Sequence, residues 1–143
     1  MLLSGEEASL TMKEYGVRSA TDVTGFGLLG HLWEMANASK INLEIDSKKV
    51  PLLQGALEMV DQKMLTRGDR VNREFVDQGV SFDSTVSDQL KSLLFDPQTA
   101  GGILMTVPKE KVDAILSQLR QKYEQASVIG KVCNKNGPSI HVR

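Results

Sequence analysis

Thr21, Asp22 and Thr24 stand immediately before a glycine-rich turn, Gly25, Gly27 and Gly30, which runs on through Leu28 and Leu29 to His31. A carboxylate between two hydroxyls is a hard oxygen donor set, of the kind Mg²⁺ takes while it also engages phosphate oxygens. Amides around Gly25 and Gly27, at the start of a helix, can face an anion. One carboxylate does not make a metal site. Asp22 therefore has to join acids elsewhere, in this chain or in a segment absent from it. The same residue types also begin helices, and Asp22 or Thr24 as an N-cap accounts for the spacing equally well.

Gly25, Gly27 and Gly30 also spell G-x-G-x-x-G, the dinucleotide-binding fingerprint, and Asp46 follows about twenty residues later, where a ribose-binding acid belongs. The upstream side does not fit. Such a site needs a buried apolar strand running into the first glycine, yet residues 15–24 contain only two valines, Val17 and Val23. A carboxylate at Asp22 would also repel the diphosphate unless a cation intervened. The glycines are better read as turn-formers.

These residues need elements to hold them. Ser4 and Glu7 have capping-box spacing, Ala8, Met12 and Tyr15 continue as a helix, and Gly16 ends it. After the glycines, Leu28, Leu29, Leu32, Trp33 and Ala36 share one helical face, which makes Trp33 core rather than a stacking platform. Leu43 and Ile45 alternate with polar residues as a half-exposed strand. Pro51 opens a helix carrying Leu52, Leu53, Ala56, Leu57 and Val60. Residues 65–76 lack clear periodicity and read as a loop with a turn of helix.

Val80 and Phe82 form a short strand. Leu90, Leu93 and Leu94 mark a helix stopped by Asp96-Pro97. The apolar run 103–107 predicts a strand covered on both sides, and Pro108 opens a helix with Val112, Ile115, Leu116, Leu119 and Tyr123 inward. Val128, Ile129, Val132 and Cys133 form a strand with Cys133 in the core. The Asn136-Gly137 turn then predicts an antiparallel hairpin with a strand at 140–142. Mixed elements ending in a hairpin indicate an α+β fold.

Seventeen basic and 18 acidic residues among 143 give a net charge of −1, without the basic stripe that a nucleic-acid partner requires. A single cysteine, Cys133, excludes an internal disulfide and a multi-cysteine zinc site. No apolar run is long enough to span a membrane, and residues 1–7 turn acidic too early for a signal peptide. The expectation is a cytoplasmic protein.

The 21–31 run resembles a hallmark of the selenophosphate synthetase (selenide, water dikinase) family, in its C-terminal half. Leu94-Phe95-Asp96-Pro97-Gln98-Thr99-Ala100-Gly101-Gly102 resembles that family's second signature, with Ala100 where serine is common. Arg70-Val71-Asn72-Arg73-Glu74 and Val128-Ile129-Gly130-Lys131-Val132 resemble its intervening and late segments. The resemblance runs from about Ser4 to the C-terminus.

It implies membership of the aminoimidazole-ribonucleotide synthetase superfamily, with an α+β domain in which helices flank a mixed sheet. It also implies conversion of ATP, selenide and water to selenophosphate, AMP and phosphate, with Mg²⁺ and a potassium-type monovalent cation, in a homodimeric enzyme. The aspartate matching Asp22 would join N-terminal-domain acids in binding the metals, and Thr21, Thr24, Gly25 and Gly27 would lie along the cofactor. The family's reactive cysteine or selenocysteine, its essential lysine and its glycine-rich N-terminal segment are absent here. Residues 1–143 are thus expected to be one C-terminal domain lacking the ATP-binding domain, with no catalytic residue of its own and little activity alone. A non-catalytic interaction module of the same fold is the alternative.

The remaining candidates have plainer readings. His31, near Glu34, and His141 are expected to be structural hydrogen-bonders. Asp96, Pro97, Gly101 and Gly102 form either a rigid loop beside the site or a simple connector. Asn72, between Arg70 and Arg73, is placed to approach a nucleotide or phosphate, with ordinary exposed arginines as the alternative.

Overall fold

The computed structural model describes residues 5–143, so the Ser4 half of the expected capping box lies outside the described residues. Helix α1 (Glu6–Tyr15) ends at Gly16, whose φ of 66° provides the left-handed cap, and the Val17 amide closes the turn on Met12 O at 2.8 Å. Strand β1 (Ser19–Asp22) leads through the glycine turn into α2 (Gly27–Ser39), followed by β2 (Asn42–Ile45). Next come α3 (Ala56–Asp61), α4 (Arg67–Val76), β3 (Val80–Phe82) and α5 (Asp88–Phe95). Strand β4 (Ile103–Thr106), α6 (Val112–Arg120), β5 (Gly130–Cys133) and β6 (Ile140–Val142) complete the order.

The strands form two sheets. β1 and β4 pair antiparallel, with Asp22 opposite Ile103; the other four lie in the order β3-β6-β2-β5. In that sheet β2 runs parallel to β6 and antiparallel to β5, and β3 runs parallel to β6, so the sheet is mixed. The twofold alternation of side chains divides its faces. Leu43, Ile45, Ile140 and Val142 are buried and, with Val80 and Phe82, meet Leu28, Leu29, Leu32 and Ala36 of α2, Val76 of α4 and Leu94 and Phe95 of α5. The opposite face carries the cross-strand row Ser81, His141, Glu44 and Lys131; Ser81 Oγ lies 3.0 Å from His141 Nδ1, and Lys131 pairs with Glu44 at 3.2 Å. The fold is α+β, a mixed sheet flanked by helices.

Several expectations fail for tertiary reasons. β5 and β6 are not a hairpin, because β2 lies between them. The connection keeps its turn, with Gly137 at φ 69°, and the buried Asn42 amide fastens it by donating to Asn136 O at 2.6 Å and Pro138 O at 2.7 Å. The 103–107 run is not covered on both sides. Its strand belongs to a two-stranded sheet, and only Leu104 is buried.

Pro51 does not open a helix. α3 begins at Ala56, behind a left-handed Gly55, and Leu53 stays 84% exposed. Pro108 is followed by a tight turn at Lys109–Lys111 before α6 begins at Val112, with Ile115 buried. Residues 128–129 precede β5 rather than joining it, and Cys133 sits half-buried on an edge strand instead of in the core. Residues 67–76, expected as a loop, form a full helix that buries Asn72 and Val76. Among the described residues no helix is long and apolar enough to cross a membrane.

Candidate functional site

Three separate stretches meet at the start of α2. The Val23 amide donates to Gly102 O at 2.9 Å and the Gly101 amide returns a bond to Val23 O at 2.9 Å, while the Gln98 amide donates to Thr24 O at 3.0 Å. The 23–27 turn and the 96–102 loop are therefore one backbone-bonded unit. Gly27 seals it: with φ at +67°, a Cβ there would lie 2.7 Å from the carbonyl carbon and oxygen of Phe95. A Cβ on Gly101 would likewise strike Val23 O at 2.7 Å, and one on Gly30 would strike Phe26 Cβ at 2.6 Å. These glycines permit close approach of chain to chain.

Helix α4 supplies the third stretch. Asn72, 3% exposed, uses both amide hydrogens, donating to Gly25 O at 2.9 Å and Phe95 O at 2.8 Å. Asn72 therefore faces inward and braces the loops, instead of approaching a phosphate. The Thr66 hydroxyl donates to Asp96 Oδ1 at 2.7 Å, and a Cβ on Gly68 would collide with the Pro97 ring. Arg73 reaches Asp69 at 3.0 Å and Ser92 Oγ at 3.1 Å, and its guanidinium lies 4.8 Å from the Phe95 ring centre. Arg70 points outward, 3.8 Å from Glu74. Thr66 was overlooked in the sequence; Thr66 followed three residues later by Asp69 has the spacing of a helix start and marks it.

The hydroxyl and acid residues occupy distinct places. Asp22 is exposed at the end of β1, and the Thr21 hydroxyl reaches only the neighbouring Asp22 carbonyl, at 3.4 Å. Neither Asp22 nor Thr24 caps α2: Phe26 holds that position without a side-chain bond, and the Gly27 amide donates to Thr24 O at 3.0 Å. Thr24 Oγ1 instead lies 3.1 Å from His31 Nε2, while His31 Nδ1 faces Glu34 at 3.2 Å. In the neutral imidazole with Nδ1–H directed at the carboxylate, Nε2 is the acceptor for the threonine hydroxyl. His31, 8% exposed, thus ties the turn to the helix.

Gly25 and Gly102 differ from their neighbours. Both are exposed, neither has positive φ, and an added Cβ would meet nothing within 4 Å at either. Nothing among the described residues fills the space a side chain would take at these two positions, which lie within the bonded loops.

Among the described residues no three His, Cys, Asp or Glu side chains gather as a metal site. Asp22 and the adjacent hydroxyls suit a hard cation in donor type, but they supply one carboxylate and would need others from outside. The dinucleotide reading finds no support in the topology. It needs β1 and β2 as parallel neighbours, whereas they belong to different sheets. Asp46 is occupied locally, accepting from the Lys48 amide at 3.2 Å and pairing with Lys49 at 3.6 Å.

Comparison with known proteins agrees with this arrangement. Residues 4–143 match the family described as AIR synthase related protein, C-terminal domain. The chain is 39% identical over 139 residues to selenide, water dikinase of Caldanaerobacter subterraneus subsp. tengcongensis, covering 96% of this chain and 40% of that protein. It is 35% identical to selenide, water dikinase of Clostridioides difficile, covering 99% and 41%. It is 43% identical over 109 residues to that of Nitratidesulfovibrio vulgaris, covering 76% and 31%. The chain thus spans about two fifths of the length of the first two relatives.

Among solved structures, a chain of the HypE–HypF complex superposes with a TM-score of 0.64 at 14% identity, covering 96% of this chain and 37% of that one. HypE itself gives a TM-score of 0.52 at 23% identity, covering 82% and 29%. These two likenesses show the shared fold alone. The chain belongs to the AIR synthase related protein, C-terminal domain family.

Proposed function

We propose that this chain is the C-terminal domain of a selenide, water dikinase, the enzyme that converts selenide, ATP and water to selenophosphate, AMP and phosphate. In this reading it closes the ATP site and contributes Asp22 to a metal cluster, and an N-terminal domain outside this chain provides the remaining acids and the reactive groups. Mg²⁺ bound there would offset the charge of the phosphate oxygens, and a potassium-type monovalent cation would assist. The intact enzyme would be a cytoplasmic homodimer, and the chain alone would have little activity.

The observation that carries the reading is the bonded union of the 23–27 turn with the 96–102 loop, which leaves Asp22 exposed beside it. An exposed carboxylate at a strand end beside a braced loop is available to a second domain. Gly25 and Gly102, open to solvent with nothing among the described residues in the space a side chain would take, fit a surface that a phosphate chain or a neighbouring domain approaches closely. Thr21, Thr24, Gly25 and Gly27 would line that approach. The preference for this reading over a non-catalytic module rests on Asp22, an exposed carboxylate of the donor type a hard cation takes.

The test is Asp22→Ala in a full-length dikinase carrying this domain. Mg²⁺-dependent ATP consumption should fall by at least 100-fold while the melting temperature stays the same. Unchanged consumption would refute the metal role.

A further inference from the structure

We propose that Asn72 is a positioning residue for the turn that follows Asp22. Its side chain hydrogen-bonds helix α4 to both the 23–27 turn and the end of α5, beside the stacking of Phe75 of α4 on Phe26 of the turn at 4.5 Å between ring centres. The two acceptors come from distant parts of the chain, Gly25 O and Phe95 O, and both lie within 2.9 Å of the same nitrogen. Phe95 in turn forms the wall against which Gly27 sits. Displacing the amide therefore loosens the turn on both sides, at Gly25 directly and at Gly27 through Phe95.

The surroundings explain why an amide is suited to this position. Asn72 is buried, and α4 is already anchored at its start by Thr66 on Asp96 and further along by Arg73 on Ser92. The helix is a fixed frame and the amide is its reach into the loops. Aspartate has the same shape but presents an oxygen where two carbonyl oxygens require a donor, so it removes both bonds and adds repulsion.

The role in metal binding rests on the dikinase reading; the clamp itself does not. The experiment therefore has two arms. In the 143-residue chain, hydrogen exchange is measured for the Gly27, Gln98 and Gly101 amides, whose acceptors lie in the bonded unit. Asn72→Asp should speed their exchange at least tenfold while Leu43 in β2 keeps its protection. In the full-length dikinase, the same substitution should raise the Mg²⁺ concentration for half-maximal ATP consumption at least tenfold, with a smaller effect on the saturated rate.

Val76→Ala is the control, since it empties buried volume on the same helix while leaving both Asn72 hydrogen bonds in place. It should lower the melting temperature without moving the Mg²⁺ dependence. If Asn72→Asp does not fold, Asn72→Ser carries the same two readouts. Unchanged exchange at all three amides, or a Mg²⁺ shift equal to that of Val76→Ala, would overturn the inference. A null effect of Asp22→Ala with faster exchange in Asn72→Asp would instead remove the metal role of Asp22 and leave the clamp intact.

Discussion

Gly27 and Gly25 are two residues apart in one turn and answer to different demands. Gly27 needs its φ of +67° and the space that Phe95 leaves it, whereas Gly25 has an ordinary φ and open surroundings. Gly27→Ala combines left-handed strain with overpacking against backbone and should cost about 2–4 kcal/mol. Gly25→Ala should leave stability within about 0.5 kcal/mol and lower ATP consumption only in the full-length dikinase. Urea unfolding of the two variants checks this; equal losses would mean that Gly25 has an internal role. Sequence spacing identified Asp22, Thr24 and the glycines as one group. It could not separate them, because the Phe95 wall and the His31 bond to Thr24 are contacts between segments.

At the scale of elements, α4 decides how the site is held, and it was the element least visible in the sequence. Gly68, mixed charge and a buried asparagine hide its period, since propensity penalises the glycine by about 1 kcal/mol and apolar counting ignores the asparagine. Both exceptions have structural reasons: Gly68 admits the Pro97 ring, and Asn72 braces two carbonyls. Helix α5 was easier to find. Ser87 caps it, accepting from the Leu90 amide at 3.3 Å, and it ends before Pro97.

In the first turn of α5 Asp88 bonds Lys91, and that hydrogen bond with the attraction to the ammonium holds its carboxyl below the ordinary 3.8. Asp83, just before the helix, is lowered as well, chiefly by the backbone amide of Thr85. Depressed folded-state values mean stabilisation that is present above about pH 3.8 and lost as pH falls through the lower folded values. Carboxyl NMR titration should place both midpoints below 3.8. A midpoint at or above 3.8 for either would contradict the assigned bonds.

Over the whole molecule, helices α2, α4 and α5 cover one face of a mixed sheet, and the loops at the start of α2 gather the candidate site. The α+β class was legible from the mixture of periods. The strand order was not. Asn136-Gly137 gave a local hairpin signal, and nothing local in β2 announced that it would pair on both sides. A single carboxylate before the turn is what points, in the sequence, to a shared site as proposed; the chain spans about two fifths of the first relatives' length. The central claim is that Asp22 serves a site shared with a second domain. Calorimetric titration of Mg²⁺-ATP into the 143-residue chain, alone and then with an N-terminal dikinase domain added, tests it most directly. No binding heat is expected from the chain alone, and saturable binding by the pair should weaken at least tenfold in Asp22→Ala. Tight Mg²⁺-ATP binding by the isolated chain would contradict that claim.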